Sequence, residues 1–272
     1  MRKKESERPV GVFDSGVGGL SVLRALKERL PGENFIYFGD TARTPYGVLS
    51  SDEVRRFTVE IGAWLLERDC KMIVIACNTA TVMGMTALRS MTAVPIVGMV
   101  EAALRGVFRT GDDIWPVGLI ATEGTLANGA YQAAFAEKAP GKPLYTRACP
   151  DFTTLVERGK TEGPEVDQTV MRYLTPLRDK GIRTLVFGCT HYPFLASAIA
   201  PFLGEGVGLV DPAVELASMA EEYLEKNSLL NGVGESAGGS VEYWCSGDRS
   251  GFISVAGVLL GRPVDIVKRQ VF

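Results

Sequence analysis

Two short segments of the chain follow nearly the same pattern, and this near-repeat constrains the fold more than any other feature. Residues 72–81 read MIVIACNTAT and residues 184–193 read TLVFGCTHYP. Each segment begins with an apolar, partly β-branched run that predicts a buried strand, and a stretch that we expect to be a helix follows each one. Cys77 and Cys189 are therefore predicted at the carboxyl ends of two strands, where open α/β sheets bind their ligands.

Strand and helix patterns alternate along the whole chain, which predicts an α/β fold with mainly parallel sheets. The near-repeat indicates two similar α/β domains with the active site in the cleft between them. We assign residues 1–99 and 207–272 to the first domain, which carries Cys77. Residues 100–206 form the second domain, which carries Cys189, and residues 122–138 are expected to form a single helix within it.

Composition excludes several other classes of protein. The chain has 272 residues and a net charge of −3 at pH 7, so we expect no nucleic-acid partner. No apolar run approaches the ~20 residues of a membrane helix, so we expect no membrane partner. The five cysteines are odd in number and contain no CxxC pair. This pattern argues against a disulfide framework and a zinc site, and it favours a reducing, cytoplasmic location.

The two cysteines in matching positions indicate acid–base chemistry. A thiol has a pKa of about 8.5 when free, and a helix N-terminus or a cation lowers that pKa. Two such thiols on opposite sides of a carbon atom would remove a proton from one face and return a proton to the other. The alternative is that Cys77 and Cys189 are small buried apolar residues, which is the common fate of a free cysteine.

Other polar residues are predicted beside the two thiols. His191, the only histidine, follows Cys189 by two positions, a place that suits a group that tunes a thiol. Asp14 and Ser15 end a predicted strand and open the sequence DSGVGG, whose glycines would let backbone N–H groups approach an anion. The small hydrogen-bonding residues next to the thiols would cap helices, bind a carboxylate or do both: Asn78, Thr79 and Thr190.

Four motifs taken together, DSGVGGLSVL, GDTARTPYG, ACNTAT and GCTHYP, resemble the glutamate branch of the aspartate/glutamate racemase family. The resemblance covers essentially the whole chain in the family's order and spacing. It implies a bacterial enzyme that needs no cofactor and interconverts L- and D-glutamate, a small-molecule substrate, for peptidoglycan synthesis. It also implies two α/β domains and a homodimer.

The resemblance implies roles for individual residues. Cys77 would deprotonate D-glutamate and Cys189 would deprotonate L-glutamate. Glu157 matches a position that assists His191, and Thr122 is expected to face the cleft. The catalytic candidates implied in this way are Cys77, Cys189, Asp14, His191 and Glu157. The matched substrate-contact positions are Asp14, Ser15, Tyr46, Gly47, Asn78, Thr79, Thr190 and His191.

Two other functions remain open from the residues alone. A Cys–His hydrolase or acyltransferase would use Cys189 as its nucleophile and His191 as its base, which leaves Cys77 unexplained. A non-enzymatic module would bind a carboxylate or phosphate at the DSGVGG turn, and its binding would survive the loss of both cysteines. A racemase that uses pyridoxal phosphate is disfavoured because no lysine follows a strand in these motifs.

Overall fold

The structure is a computed structural model, and it describes residues 4–109, 111, 114–231 and 238–272. Ten strands form two sheets in which every pairing between described strands is parallel. The predicted α/β fold class with two mainly parallel sheets is confirmed. The strands are β1 Val10–Asp14, β2 Phe35–Gly39, β3 Met72–Ile75, β4 Ile96–Gly98, β5 Val117–Ala121, β6 Leu144–Ala148, β7 Thr184–Gly188, β8 Gly208–Val210, β9 Val241–Cys245 and β10 Val267–Arg269.

Eleven helices lie between and around these strands in the described part of the chain. Short 3-10 turns span Glu5–Glu7, Tyr46–Val48 and Tyr192–Leu195. The helices are α1 Leu20–Arg29, α2 Ser51–Leu66, α3 Asn78–Arg89, α4 Met99–Arg109, α5 Glu123–Asn128, α6 Ala130–Lys138, α7 Pro150–Glu157, α8 Pro164–Arg178, α9 Ala196–Leu203, α10 Pro212–Lys226 and α11 Arg249–Leu260.

The order of the strands brings both cysteine segments to equivalent positions. The first sheet has the order β10-β9-β2-β1-β3-β4, and the second has the order β6-β5-β7-β8. In each sheet a cysteine strand, β3 or β7, pairs with the first strand of its unit, β1 or β5. Asp14 therefore ends the strand next to the one that Cys77 follows in the first sheet, and Thr122 and Cys189 follow neighbouring strands of the second.

The central strands of each sheet are buried because helices cover them on both faces, as parallel sheets require, whereas β6, β8, β9 and β10 are more exposed. All residues of β1, β2, β3, β5 and β7 are buried. The two sheets share a continuous apolar cluster that contains Val12 of β1, Leu23 of α1, Leu216 of α10 and Leu185 of β7. This shared core joins the two sheets so that their carboxyl edges face the same cavity.

The predicted division into two domains follows the two sheets, with one difference. Strand β8 lies after residue 206 but pairs with β7 in the second sheet. We therefore retain the division as a proposal and move its second boundary from residue 206 to just after Val210.

Two local predictions are wrong. The single helix expected over residues 122–138 is broken into α5 and α6 at Gly129, which has a φ of +79° that ends a right-handed helix. The helix expected directly after Cys189 does not begin there. A 3-10 turn that contains Pro193 intervenes, and α9 begins at Ala196.

A buried ion pair fastens the amino-terminal segment and the end of α10 to the first sheet. Lys71 Nζ lies 2.6 Å from Glu33 Oε2, and both side chains are only 1% exposed. The same ammonium donates to the carbonyl groups of Ser6 and Leu229. The charges are therefore compensated by direct partners where water is absent.

We expect Lys71→Met to lower the free energy of unfolding by about 3–5 kcal/mol, because it leaves the Glu33 carboxylate buried without its partner. Urea denaturation of both proteins measures the difference. The control is Lys268→Met, which removes a lysine from the half-exposed pair with Glu242 and should cost less than about 1 kcal/mol. Equal losses in the two variants would contradict this account of the buried pair.

Candidate active site

The carboxyl edges of the two sheets enclose a small cavity. Its walls contain every predicted site residue except Asp14 and Glu157. Two further residues, Pro45 and Thr153, complete the lining. The lining residues are Ser15, Pro45, Tyr46, Gly47, Cys77, Asn78, Thr79, Thr122, Thr153, Cys189, Thr190 and His191.

The cavity is closed in this conformation. Its volume is about 20 Å³, which is room for about one water molecule. A second opening of about 120 Å³ adjoins it and shares Pro45, Gly47, Thr122 and Thr153 with it. A ligand as large as an amino acid therefore requires the walls to separate, and the shared residues mark the side from which it would enter.

Cys77 caps the amino-terminal end of α3. Its Sγ accepts a hydrogen bond from the Ala80 backbone N–H at 3.4 Å, and its thiol donates to Ser15 Oγ at 3.8 Å. Burial, and next the negative charge of Asp14, raise the pKa of the thiol to about 12, although the Ala80 and Ser15 hydrogen bonds act in the opposite direction. Cys77 therefore holds its proton at neutral pH in the closed cavity.

Cys189 has a different environment, dominated by His191. The Cys189 Sγ lies 3.5 Å from His191 Nδ1 and 3.9 Å from Thr153 Oγ1. His191 Nε2 lies 2.7 Å from Glu157 Oε1. Nε2–H donates to the Glu157 carboxylate. At Nδ1 a Cys189 thiol donates to a neutral ring, whereas a Cys189 thiolate accepts from an imidazolium.

The pKa of His191 reflects the same arrangement. Burial alone would lower it, but Cys189 and Glu157 together raise it well above its ordinary value. In turn, burial alone would raise the pKa of the Glu157 carboxyl, but the hydrogen bond and charge of His191 lower it. The three side chains therefore form a linear chain of sulfur, imidazolium and carboxylate.

Two glycines of the DSGVGG turn, Gly16 and Gly18, make room for this chain of side chains. A Cβ atom added at Gly16 would lie 2.4 Å from Glu157 Oε1, and one at Gly18 would lie 2.5 Å from His191 Nδ1. The backbone N–H of Val17 donates to Glu157 Oε1 at 3.4 Å. Gly16 and Gly18 therefore let Glu157 and His191 pack directly against the backbone of this turn, and the anion that its backbone N–H approaches is the Glu157 carboxylate.

Asp14 lies behind the cavity wall. Its carboxylate accepts hydrogen bonds from Thr190 Oγ1 at 3.1 Å and from the Gly16 backbone N–H at 3.0 Å. The side chain is completely buried, and burial raises its pKa although nearby His191 acts in the opposite direction. Asp14 thus reaches the cavity through Thr190 and through its charge near Cys77.

Polar groups from both sheets meet on the remaining wall. The hydroxyl groups of Thr79, Thr122 and Thr125 lie within 3.0 Å of one another. Tyr46 contributes its ring side only, because its hydroxyl donates to Asp40 on the far side. Gly47 is a glycine because an added Cβ atom would lie 2.6 Å from Thr122 Cβ.

The sequence analysis did not identify Thr153 as a site residue. Thr153 and Glu157 are four residues apart on α7, so they share one face of that helix. A helix predicted over residues 150–157 would have been the signal for Thr153. If Glu157 on that helix contacts His191, Thr153 one turn earlier on the same face lies near Cys189.

The described residues contain no cluster of three or more His, Cys, Asp or Glu side chains that could hold a metal ion. Over that same part of the chain, no helix combines the length and apolar character needed to span a membrane.

The fold has two parallel sheets, and the cavity at their carboxyl edges is lined by Cys77 from one sheet, Cys189 from the other and mainly polar side chains. The sequence model of the Asp/Glu/Hydantoin racemase family matches residues 10–220, so the chain belongs to this family of racemases. A curated relative, the glutamate racemase of Geobacter metallireducens, is 43% identical and covers 93% of each chain.

Solved structures agree with this assignment. The glutamate racemase of Thermus thermophilus, in complex with β-chloro-D-alanine, has a TM-score of 0.86 at 39% identity and covers 99% of each chain. The glutamate racemase of Francisella tularensis, in complex with D-glutamate, has a TM-score of 0.88 at 32% identity over 97% of this chain and 98% of that chain.

We expect Glu157→Gln to lower the pKa of His191, because the neighbouring carboxylate no longer stabilises the imidazolium. The chain has a single histidine, so proton NMR of the untagged protein follows one imidazole Cε1–H resonance through a pH titration. Glu165→Gln, on the exposed start of α8, is the control and should leave the titration unchanged. An unchanged midpoint in Glu157→Gln would contradict the proposed chain of charges.

Proposed function

We propose that the protein interconverts L-glutamate and D-glutamate by an acid–base mechanism that uses two thiols and no cofactor. The observation that carries the proposal is that Cys77 and Cys189 line one closed cavity in two different electrostatic environments. Membership of the racemase family supports the reaction class. The D-glutamate complex of the Francisella tularensis relative supports the substrate.

Cys189 is the proposed base for L-glutamate. The imidazolium of His191, 3.5 Å from Sγ, stabilises a thiolate at this position. The thiolate forms an S–H bond with the α-proton, and the electron pair of the broken C–H bond stays on the α-carbon. Cys77, whose raised pKa keeps it protonated, then donates its proton to the opposite face and becomes a thiolate. The product is D-glutamate.

Racemisation of D-glutamate begins from the opposite protonation state, with Cys77 as the base and Cys189 as the acid. The state of one sulfur affects the other, because the charge of Cys189 contributes to the raised pKa of Cys77. One turnover in either direction leaves the pair in the state needed for the reverse reaction.

The remaining cavity residues bind and orient the substrate in this proposal. Asn78 and Thr79 begin α3, where backbone N–H groups and the helix dipole favour a carboxylate. Thr190 and Ser15 complete the polar contacts. Asp14 supplies negative charge for the ammonium group and holds Thr190 in place.

The α-proton of an amino acid is very weakly acidic, so the site must stabilise a developing negative charge without an electron sink. A closed cavity excludes water and strengthens the interaction between that charge and fixed donors. It also holds the sulfur and the α-carbon in contact, which removes most of the entropic cost of their encounter. The small volume of the closed cavity is consistent with this requirement.

The proposal extends to the role and state of the protein in the cell. We propose that it supplies D-glutamate for peptidoglycan synthesis in the bacterial cytoplasm and acts as a homodimer. These parts rest on the resemblance to the family. Size-exclusion chromatography with light scattering measures the molar mass in solution, and a homodimer should give twice the mass of one chain.

The contact between Cys189 and His191 also suits a nucleophilic hydrolase or acyltransferase. That function would give a thioester on Cys189 with an activated ester, detectable by mass spectrometry. It leaves Cys77, which lines the same cavity, without a role.

We expect Cys77→Ser and Cys189→Ser each to lower the rate of racemisation by about 10²–10⁴-fold or more, because a hydroxyl is a far weaker acid and base partner than a thiol. Circular dichroism of each glutamate enantiomer, without added cofactor, measures the rate. Cys245→Ser, a buried cysteine outside the cavity, is the matched control and should retain the wild-type rate. Near wild-type turnover in either cavity variant would exclude the two-thiol mechanism.

A further inference from the structure

The amide of Asn78 in the cavity wall has a hydrogen-bond partner for its oxygen and none for its nitrogen among the described residues. Asn78 is only 2% exposed and lines the cavity. Its Oδ1 accepts a hydrogen bond from the hydroxyl of Tyr131, whereas its buried Nδ2 has no partner among the described residues. An unpaired buried donor is costly unless a ligand completes it.

Tyr131 is well suited to fix the direction of this amide. It lies on α6 of the unit built on the second sheet, is completely buried, and reaches Asn78 at the start of α3 on the first sheet. Burial, and then the charge of Cys189, raise the pKa of the phenol, so it remains a neutral donor at physiological pH.

The hydrogen bond donated by the Tyr131 hydroxyl determines the orientation of the Asn78 amide. In the part of the chain that the structure describes, Asn78 Oδ1 is the acceptor for the Tyr131 hydroxyl. If the amide were reversed, Nδ2 would donate to the phenol oxygen and the phenol proton would lose its acceptor in a buried place. The observed orientation satisfies the phenol and leaves both Nδ2 protons unpaired on a residue that lines the cavity.

We propose that Tyr131 is a positioning residue that holds the Asn78 amide with its N–H donors toward a carboxylate group of the substrate. This inference rests on the proposed function, since it takes glutamate as the ligand. Tyr131 and Asn78 belong to units built on different sheets. The carboxylate donor is therefore correctly oriented only when those two units are in contact.

The test compares Tyr131→Phe, Asn78→Ala and the double variant in racemisation of both glutamate enantiomers. Tyr131→Phe keeps the ring and removes only the hydroxyl. We expect its KM to rise about tenfold, as loss of one oriented hydrogen bond to a charged group predicts, with a smaller change in kcat. In the Asn78→Ala background, Tyr131→Phe should have no further effect on KM, because the group it positions is absent.

The outcomes separate this inference from the proposed function. The positioning role would be overturned if the effects of the two substitutions on KM were additive. It would also be overturned if Tyr131→Phe had the wild-type KM. Isothermal titration with D-glutamate gives a second readout. A wild-type protein that binds D-glutamate but does not racemise it would refute the proposed function alone. The positioning role of Tyr131 would then be tested by the ratio of the Kd of Tyr131→Phe to the Kd of the wild type. A wild-type protein that does not bind glutamate would overturn both.

Discussion

The buried contact between Cys189, His191 and Glu157 is the interaction on which the rest of the site depends. A positive imidazolium is held between a sulfur and a carboxylate, each at hydrogen-bonding distance. Charges in a buried place are tolerated only when their partners are direct, and here the partners come from the segment after β7 and from the end of α7. Gly16 and Gly18 in the turn after β1 are glycines because Glu157 and His191 occupy the space where their side chains would lie.

The same arrangement makes the two sulfurs unequal. Cys189 lies beside a cation, whereas Cys77 lies near the buried carboxylate of Asp14, and its raised pKa keeps it protonated. Equal sulfurs would both be protonated or both be charged, and neither state has one base and one acid. The proposed mechanism needs this asymmetry, and each turnover exchanges the two roles.

The fold class and most of the cavity wall are predictable from the sequence because they depend on local patterns. Buried strands that end in Cys77 and Cys189 indicate the carboxyl edges, and polar residues next to a cysteine necessarily share its edge. Three features depend on tertiary contacts and are not readable in this way. Thr153 becomes a site residue only once α7 is recognised as a helix. Tyr131 contacts Asn78, which is far from it in the sequence. Asp14 follows a strand like the cysteines, but Thr190 covers it, and no local pattern reveals this depth.

The measurement that tests the two-thiol mechanism most directly is the fate of the α-hydrogen at early times in D₂O. Protiated L-glutamate is incubated with the enzyme, the reaction is stopped at low conversion, and the deuterium content of each separated enantiomer is measured. Two bases on opposite faces predict D-glutamate that carries solvent deuterium, while the remaining L-glutamate keeps its proton. Product that retains the original proton, or substrate that exchanges as fast as product forms, would indicate a single base and contradict the mechanism.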